Sequence, residues 1–312
     1  MWKTTKYFAP VIISLLILAT AVSYSDNKDD HPKEKELKET YILPQIIKPV
    51  DLNKPFSFAG EPLPMDNFDV RERLDRELTV NTYWHSSTLL NIKSTYKYFP
   101  VMEKILAEHG VPDDFKYLAI AESNLRNVTS PAGAKGVWQF LEYIGEHYGL
   151  EINNEVDERY HIEKATAAAC EYIKDHYRDF GNWTLTAAAY NMGGPRLERE
   201  LEQQRADSYY DLNLNIETGR YVFRIVAIKE IVSNPRNFGF YLEEDQAYPP
   251  LTDYEIVQVN TAIENLGDFA AEHGTSYRML KVYNPWLISH RLTNRARKTY
   301  EIKVPVQRLN GR

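Results

Sequence analysis

The chain has 312 residues, a net charge of −7 and ordinary hydrophobic and charged fractions of 43% and 26%. That length holds a main domain of roughly 150 to 200 residues plus a smaller module. The acidic balance, unbroken by any basic stripe, excludes nucleic acid as a partner, because phosphate binding draws on clustered Lys and Arg.

At the N-terminus, Lys3 and Lys6 precede an apolar run from Tyr7 to Val22 and the small residues "ATAVS". This is the layout of a secretory signal over residues 1–23, with cleavage after Ser23. The alternative is an uncleaved N-terminal anchor that associates with a membrane, although the run is shorter than the ~18 residues expected of a span. No Cys follows the run, which excludes a lipoprotein anchor. The chain is therefore expected to be exported, to the periplasm or cell envelope, and cleavage takes its net charge from −7 to −9.

Residues 24–67 carry "SDNKDDHPKEKELKET" and then Pro44, Pro49, Pro55, Pro62 and Pro64. Charge and proline without periodicity read as a linker or surface arm. Helices are expected from Asp69 to Thr82, from Ser86 to Phe99, and through "PVMEKILAEHG", where Gly110 is the stop. The next, "VPDDFKYLAIAESN", starts at Pro112 and places Phe115, Leu118, Ala119 and Glu122 at i, i+3, i+4 and i+7. A Glu in line with an apolar stripe is desolvated, which raises its pKa and makes it a proton donor near neutral pH. The alternative is that the helix ends there and Glu122 swings into solvent as an ordinary helix-end charge.

Further helices fit "GVWQFLEYIGEHYG", "IEKATAAACEYIKDHYRDFG", "NWTLTAAAYNMG" and "IETGRYVFRIVAIKEIVSNP". The lone Cys170 lies in an Ala-rich stretch and reads as a small core residue that can form no internal disulfide. Almost nothing before residue 250 reads as strand, so the domain over 68–248 should be all-α. After Pro249 and Pro250 the pattern changes. "YEIVQVN" and "TYEIKVP" alternate like strands and bracket two helical stretches, predicting a βααβ module over 251–308.

No HxxxH, HExxH or Cys/His cluster supports a metal site, and neither GxGxxG nor GxxxxGK supports a phosphate loop. No GxSxG elbow is present. No metal or cofactor is therefore expected. What remains is a spread of segments: Glu122-Ser123, Gly136-Val137-Trp138-Gln139 and Ala189-Tyr190-Asn191, followed by "IETGRYVFRI". In order and spacing these resemble the lytic transglycosylases of the soluble type, whose lysozyme-like helical domain cuts peptidoglycan. Trp138, in place of the commoner Met, makes the resemblance closest to the membrane-bound type D branch. The final module resembles a LysM glycan-binding domain, though it lacks the Gly-Asp that normally follows the first strand.

The resemblance implies a mainly α, lysozyme-like catalytic domain with Glu122 as sole catalytic acid. It implies that Ser130 and Gln139 contact substrate and that the Tyr190 hydroxyl steadies Glu122. Trp138 becomes a candidate sugar contact, with core packing the alternative. Ser123, Gly136, Asn191, Glu217 and Tyr221 belong to the motifs and are expected to serve structure. The implied partner is the peptidoglycan glycan strand, taken by a monomer. The implied reaction is attack by the muramic acid's own C6 hydroxyl, giving a 1,6-anhydro end, rather than the two-carboxylate route of most glycosidases. The rivals are a goose-type hydrolase that borrows an acid such as Asp157 or Glu163, and a catalytically silent glycan-binding scaffold.

Overall fold

The hydrophobic spacing that predicts helices produces them. The computed structural model describes residues 47–306, so the signal-like segment 1–23 and the charged part of the arm lie outside the described residues. From Lys48 onward the chain forms one unit. The described end of the arm differs from expectation. Phe56, Phe58 and Leu63 are buried, and a two-residue hairpin, β1 (Ser57–Phe58) with β2 (Glu61–Pro62), lays them on the helical core. Aromatic burial outweighs the local signal of proline and charge.

Helix α1 (Phe68–Tyr83) starts at Asn67, whose side chain accepts from the Asp69 N–H. The next two expected helices are one, α2 (His85–Glu108), running through Pro100. Proline removes one backbone hydrogen bond. Phe99, Met102 and Leu106 are buried across the break, and their common packing holds the helix together. A 3-10 turn over Asp113–Phe115 leads into the short α3 (Lys116–Ser123). The segment "GVWQF" is not helical, and α4 (Glu142–His147) begins only after it. Helix α5 (Ile162–Phe180) stops at the left-handed Gly181, and α6 (Trp183–Met192) is capped by Asn182. Helix α7 (Gly194–Gln204) follows directly, so Gly193 is a corner between two helices.

Helix α8 (Ile216–Ser233) is the axis of the domain. It packs against α1, α3 and α6, and Tyr221, Val222, Phe223, Ile225 and Val226 are buried along it. Ala187, Ala188 and Ala189 on α6 are likewise buried, and their lack of bulk lets α6 lie close to its neighbours. Cys170 is buried on α5, and burial pushes its thiol up to about 12, so it is an inert core residue. Among the described residues no helix is long and apolar enough to cross a membrane.

The C-terminal module has the expected order: β3 (Tyr254–Val259), α9 (Leu266–Glu272), α10 (Tyr277–Tyr283) and β4 (Tyr300–Pro305). The strands pair antiparallel, from Tyr254 opposite Pro305 to Val259 opposite Tyr300. The module is not freely tethered. Val156, from the helical domain, sits in the module's own core with Leu266, Leu280, Trp286 and Leu287. The Asp157 N–H donates to the Trp286 carbonyl at 2.9 Å, and the Ile288 N–H to the Glu155 carbonyl at 3.0 Å. Glu155 also accepts from the Thr293 N–H at 2.6 Å and hydroxyl at 2.7 Å, which lowers its pKa. Val156→Asp should therefore place an unpaired charge at a site 1% exposed. The expected loss is about 3 kcal/mol or more, read by chemical denaturation.

Candidate active site

Glu122 stands in the last turn of α3, whose Lys116 to Ile120 stretch is buried. The helix ends in two consecutive left-handed residues, Asn124 at φ 53° and Leu125 at φ 54°. A leucine rarely adopts this conformation, and here its burial at 1% exposure holds it there. Asn124 is fixed from α2, its Oδ1 accepting from Asn91 Nδ2 at 2.9 Å. The end of α3 is thus held by packing rather than by propensity.

The Tyr221 hydroxyl, from α8, donates a short hydrogen bond to Glu122 Oε1. Burial pushes the Glu122 carboxyl up to about 7. The Tyr221 bond opposes the rise, the negative Glu217 adds to it, and the positive Arg224 opposes it. Glu122 as a residue is half-buried. With Oε1 committed as an acceptor, the acid proton belongs on Oε2. Near neutral pH the carboxyl can therefore give a proton and take one back. Glu217, Tyr221 and Arg224 are i, i+4 and i+7 on one face of α8. Arg224 is drawn at the same time towards Glu77 of α1, 3.8 Å away, and the fully buried Glu77 also binds Arg220 at 2.5 Å.

The loop after α3 closes the site. Gly136 has φ 79°, and a Cβ there would fall 1.9 Å from the Arg159 carbonyl oxygen, so only glycine fits. Gln139 takes φ 51°, and its Nε2 donates to the carbonyls of Gly136 at 2.7 Å and Val128 at 3.1 Å. Its side chain therefore holds the loop through Nε2. Ser130 Oγ accepts from the Ala134 N–H at 3.0 Å within a tight turn, and the residue is half-buried. Ser123 Oγ shares its proton between the carbonyls of Val137 at 2.9 Å and Ala119 at 3.0 Å. Asn191 Oδ1 accepts from the Thr218 hydroxyl at 2.9 Å, joining α6 to α8.

Tyr190 differs from expectation, and Trp138 follows its core-packing alternative. The Tyr190 hydroxyl donates to the Trp138 carbonyl at 2.7 Å rather than to Glu122, and the tyrosine that grips Glu122 is Tyr221. Tyr190 is near enough to feel the Glu122 charge, yet its hydroxyl is committed to the loop. Trp138 is fully buried, its indole N–H donating to Thr166 Oγ1 at 2.9 Å, so it is a core anchor and cannot stack on a sugar. A tryptophan in a tight loop finds its apolar volume and its one donor satisfied inside.

Neither acid suggested as a helper faces the site. Asp157 is buried and held by Arg159 at 2.7 and 2.8 Å and by Lys135 at 3.3 Å. These cations hold its carboxyl low against the cost of burial. Glu163 pairs with Lys303 and with His161 at 3.2 Å, and despite burial its pKa is lowered to about 2. Arg159 also donates to the Phe140 carbonyl at 3.3 Å, so the Asp157–Arg159 pair braces the loop from beneath. Among the described residues no group of His, Cys, Asp and Glu is placed to hold a metal ion.

Residues 100–213 match the Transglycosylase SLT domain, and residues 255–308 match the soluble lytic transglycosylase C-terminal LysM-like domain. Among curated proteins the chain is 28% identical over 238 residues to the membrane-bound lytic murein transglycosylase D of Escherichia coli K12. The same protein from a uropathogenic E. coli strain matches equally. The aligned region takes in 73% of this chain and 51% of the relative, so the chain spans about half the length of the curated relatives it matches. Among solved structures, the 70 kDa soluble lytic transglycosylase of E. coli aligns with a TM-score of 0.40 at 18% identity, over 56% of this chain and 33% of that one.

The opposed influences on Glu122 give signed outcomes. Tyr221→Phe and Arg224→Gln each remove a group that lowers its pKa, so each should move the Glu122 titration above about 7, while Glu217→Gln should move it below. Carbon-13 NMR of the labelled carboxyl reads all three directly.

Proposed function

From a chain that carries a transglycosylase SLT domain and a LysM-like module, related to the membrane-bound murein transglycosylase D family, we propose an enzyme of the cell envelope that cleaves peptidoglycan strands without water. Glu122 is its acid and base. The observation that carries this reading is a single carboxyl held near neutral pKa, with both Asp157 and Glu163 tied into ion pairs elsewhere.

Glu122 Oε2 gives its proton to the glycosidic oxygen as the bond from C1 of the muramic acid to that oxygen breaks. The departing sugar leaves with a free 4-hydroxyl. The C6 hydroxyl of the same muramic acid then forms a bond to C1, and its proton returns to Glu122. Atoms balance with no water taken up, and the product ends in a 1,6-anhydro sugar. An intramolecular hydroxyl is already close to the carbon it attacks, which replaces the positioning a second carboxylate gives to water. Tyr221 holds Glu122 Oε1, so only Oε2 moves protons. Ser130 and Gln139 line the loop beside the strand, where Gln139 Oε1 and Ser130 Oγ can contact the sugars. The protein acts as a monomer on glycan strands and needs no cofactor.

One observation favours a second reading. Glu217 is a carboxylate whose charge reaches Glu122, and it could orient a water for hydrolysis. The products distinguish the two. Incubated with purified peptidoglycan, the wild-type chain should release anhydro-muropeptides by mass spectrometry, and Glu122→Gln should release at least about a thousandfold less. Reducing-end muropeptides, lost on Glu217→Gln, would instead establish a muramidase. Wild-type protein that solubilises nothing would leave a glycan-binding scaffold.

A further inference from the structure

Where the helical domain meets the module there is a cavity of about 260 Å³. Its charges are unbalanced. Lys97 from α2, Arg278 and Lys281 from α10 and Lys303 from β4 line it, against the single carboxylate of Glu163. Glu163 is already paired with Lys303. Lys97, Lys281 and the exposed Arg278 thus border one space with no ion-pair partner among the described residues, in a chain whose net charge is −7.

Two of these cations carry the cost of that arrangement. Lys97 has no carboxylate partner among the described residues and lies 5.4 Å from the centre of the Tyr98 ring. Lys281 donates to the Ser289 carbonyl at 2.9 Å, which satisfies a hydrogen bond but not a charge. Burial lowers the pKa of both ammoniums. Partly desolvated, unpaired cations around a cavity are a cost that a bound anion removes. The walls also include Tyr160 and Trp286, which offer apolar and aromatic surface beside the charges.

The position of the cavity narrows the choice of anion. Asn127 and Val137, from the same loop that carries Ser130 and Gln139, form part of its wall. The cavity therefore borders the loop that also carries Ser130 and Gln139. On the reading above, the strand lies against that loop, and its muramic acid bears a short acidic peptide. Glu163 on the wall disfavours a doubly charged phosphate relative to a singly charged carboxylate.

We propose that this cavity binds carboxylates of the peptide carried by the glycan strand, so that the chain prefers peptide-bearing over bare glycan. The inference rests on the peptidoglycan reading for how the peptide arrives, and the experiment separates the two. The full chain and its Lys97→Gln/Lys281→Gln variant are assayed on intact strands and on strands stripped of peptide by an amidase. The wild type should show a KM about tenfold lower on intact strands, and the variant should lose that difference with kcat on stripped strands unchanged. In a binding test without turnover, full-length Glu122→Gln protein is titrated with a soluble stem tetrapeptide by calorimetry. Binding should weaken about tenfold when the two lysines are replaced in that background. Equal wild-type KM values on both strands, with anhydro products still formed, would overturn the inference and leave the function standing. So would no tetrapeptide binding, or displacement of the tetrapeptide by inorganic phosphate at matched ionic strength. If no product forms from either strand, it is the function that fails.

Discussion

The hydrogen bond between Tyr221 and Glu122 is the interaction around which the molecule is arranged. A carboxyl among apolar residues favours its neutral form, because ionising it there forfeits solvation. Left alone, such a group would be a poor acid and free to turn. The Tyr221 bond fixes one oxygen, offsets part of the desolvation and leaves the other oxygen to carry the proton. It also joins α3 to α8, the buried axis against which α1 and α6 pack. Catalytic geometry and core packing are therefore one problem here.

The loop from Val128 to Phe140 shows the same economy of means. Its carbonyls are taken up by donors from different parts of the fold: Ser123 to Val137, Tyr190 to Trp138, Arg159 to Phe140 and the Gln139 side chain to Gly136. Backbone groups anchored in this way resist local rearrangement. Arg159 is itself held by Asp157, and the Asp157 N–H reaches the Trp286 carbonyl in the module. A chain of contacts thus runs from the LysM-like module to the loop. The module is thereby part of the support of this loop.

Much of this was legible in the sequence, and the exceptions share a cause. Helical spacing placed Glu122 on the apolar face of α3, and the alternation after Pro250 placed both module strands. What periodicity could not see was where a side chain finds its partner across the fold. Tyr221 is buried and Tyr190 half-buried, both within reach of the Glu122 charge, and only the path of α8 decides which one bonds it. For Trp138 the sequence leaves sugar contact and core packing open until Thr166, 28 residues on, supplies an internal acceptor. The local signals of Pro100 and of the proline-rich stretch before α1 were overruled by buried aromatic and aliphatic neighbours. In each case a long-range contact outweighed a short-range propensity.

One signal for the second half of the site was present in the sequence all the same. In "IETGRYVFRI", Glu217, Tyr221 and Arg224 recur at i, i+4 and i+7, which is a polar stripe beside the apolar run of the same helix. Such a stripe on a surface helix is ordinary. Here Tyr221 lies among the buried Val222, Phe223, Ile225 and Val226, so its hydroxyl requires a polar partner inside the fold. Within the helical domain, Glu122 is the acid that the apolar stripe of α3 directs inward, so the two stripes can satisfy each other. Arg224 does not simply neutralise Glu122, because Glu77 competes for it from α1. Glu217 pushes in the opposite sense. A carboxyl poised near pH 7 results from burial, which raises it most, set against one hydrogen bond and two opposed charges that all come from one face of α8.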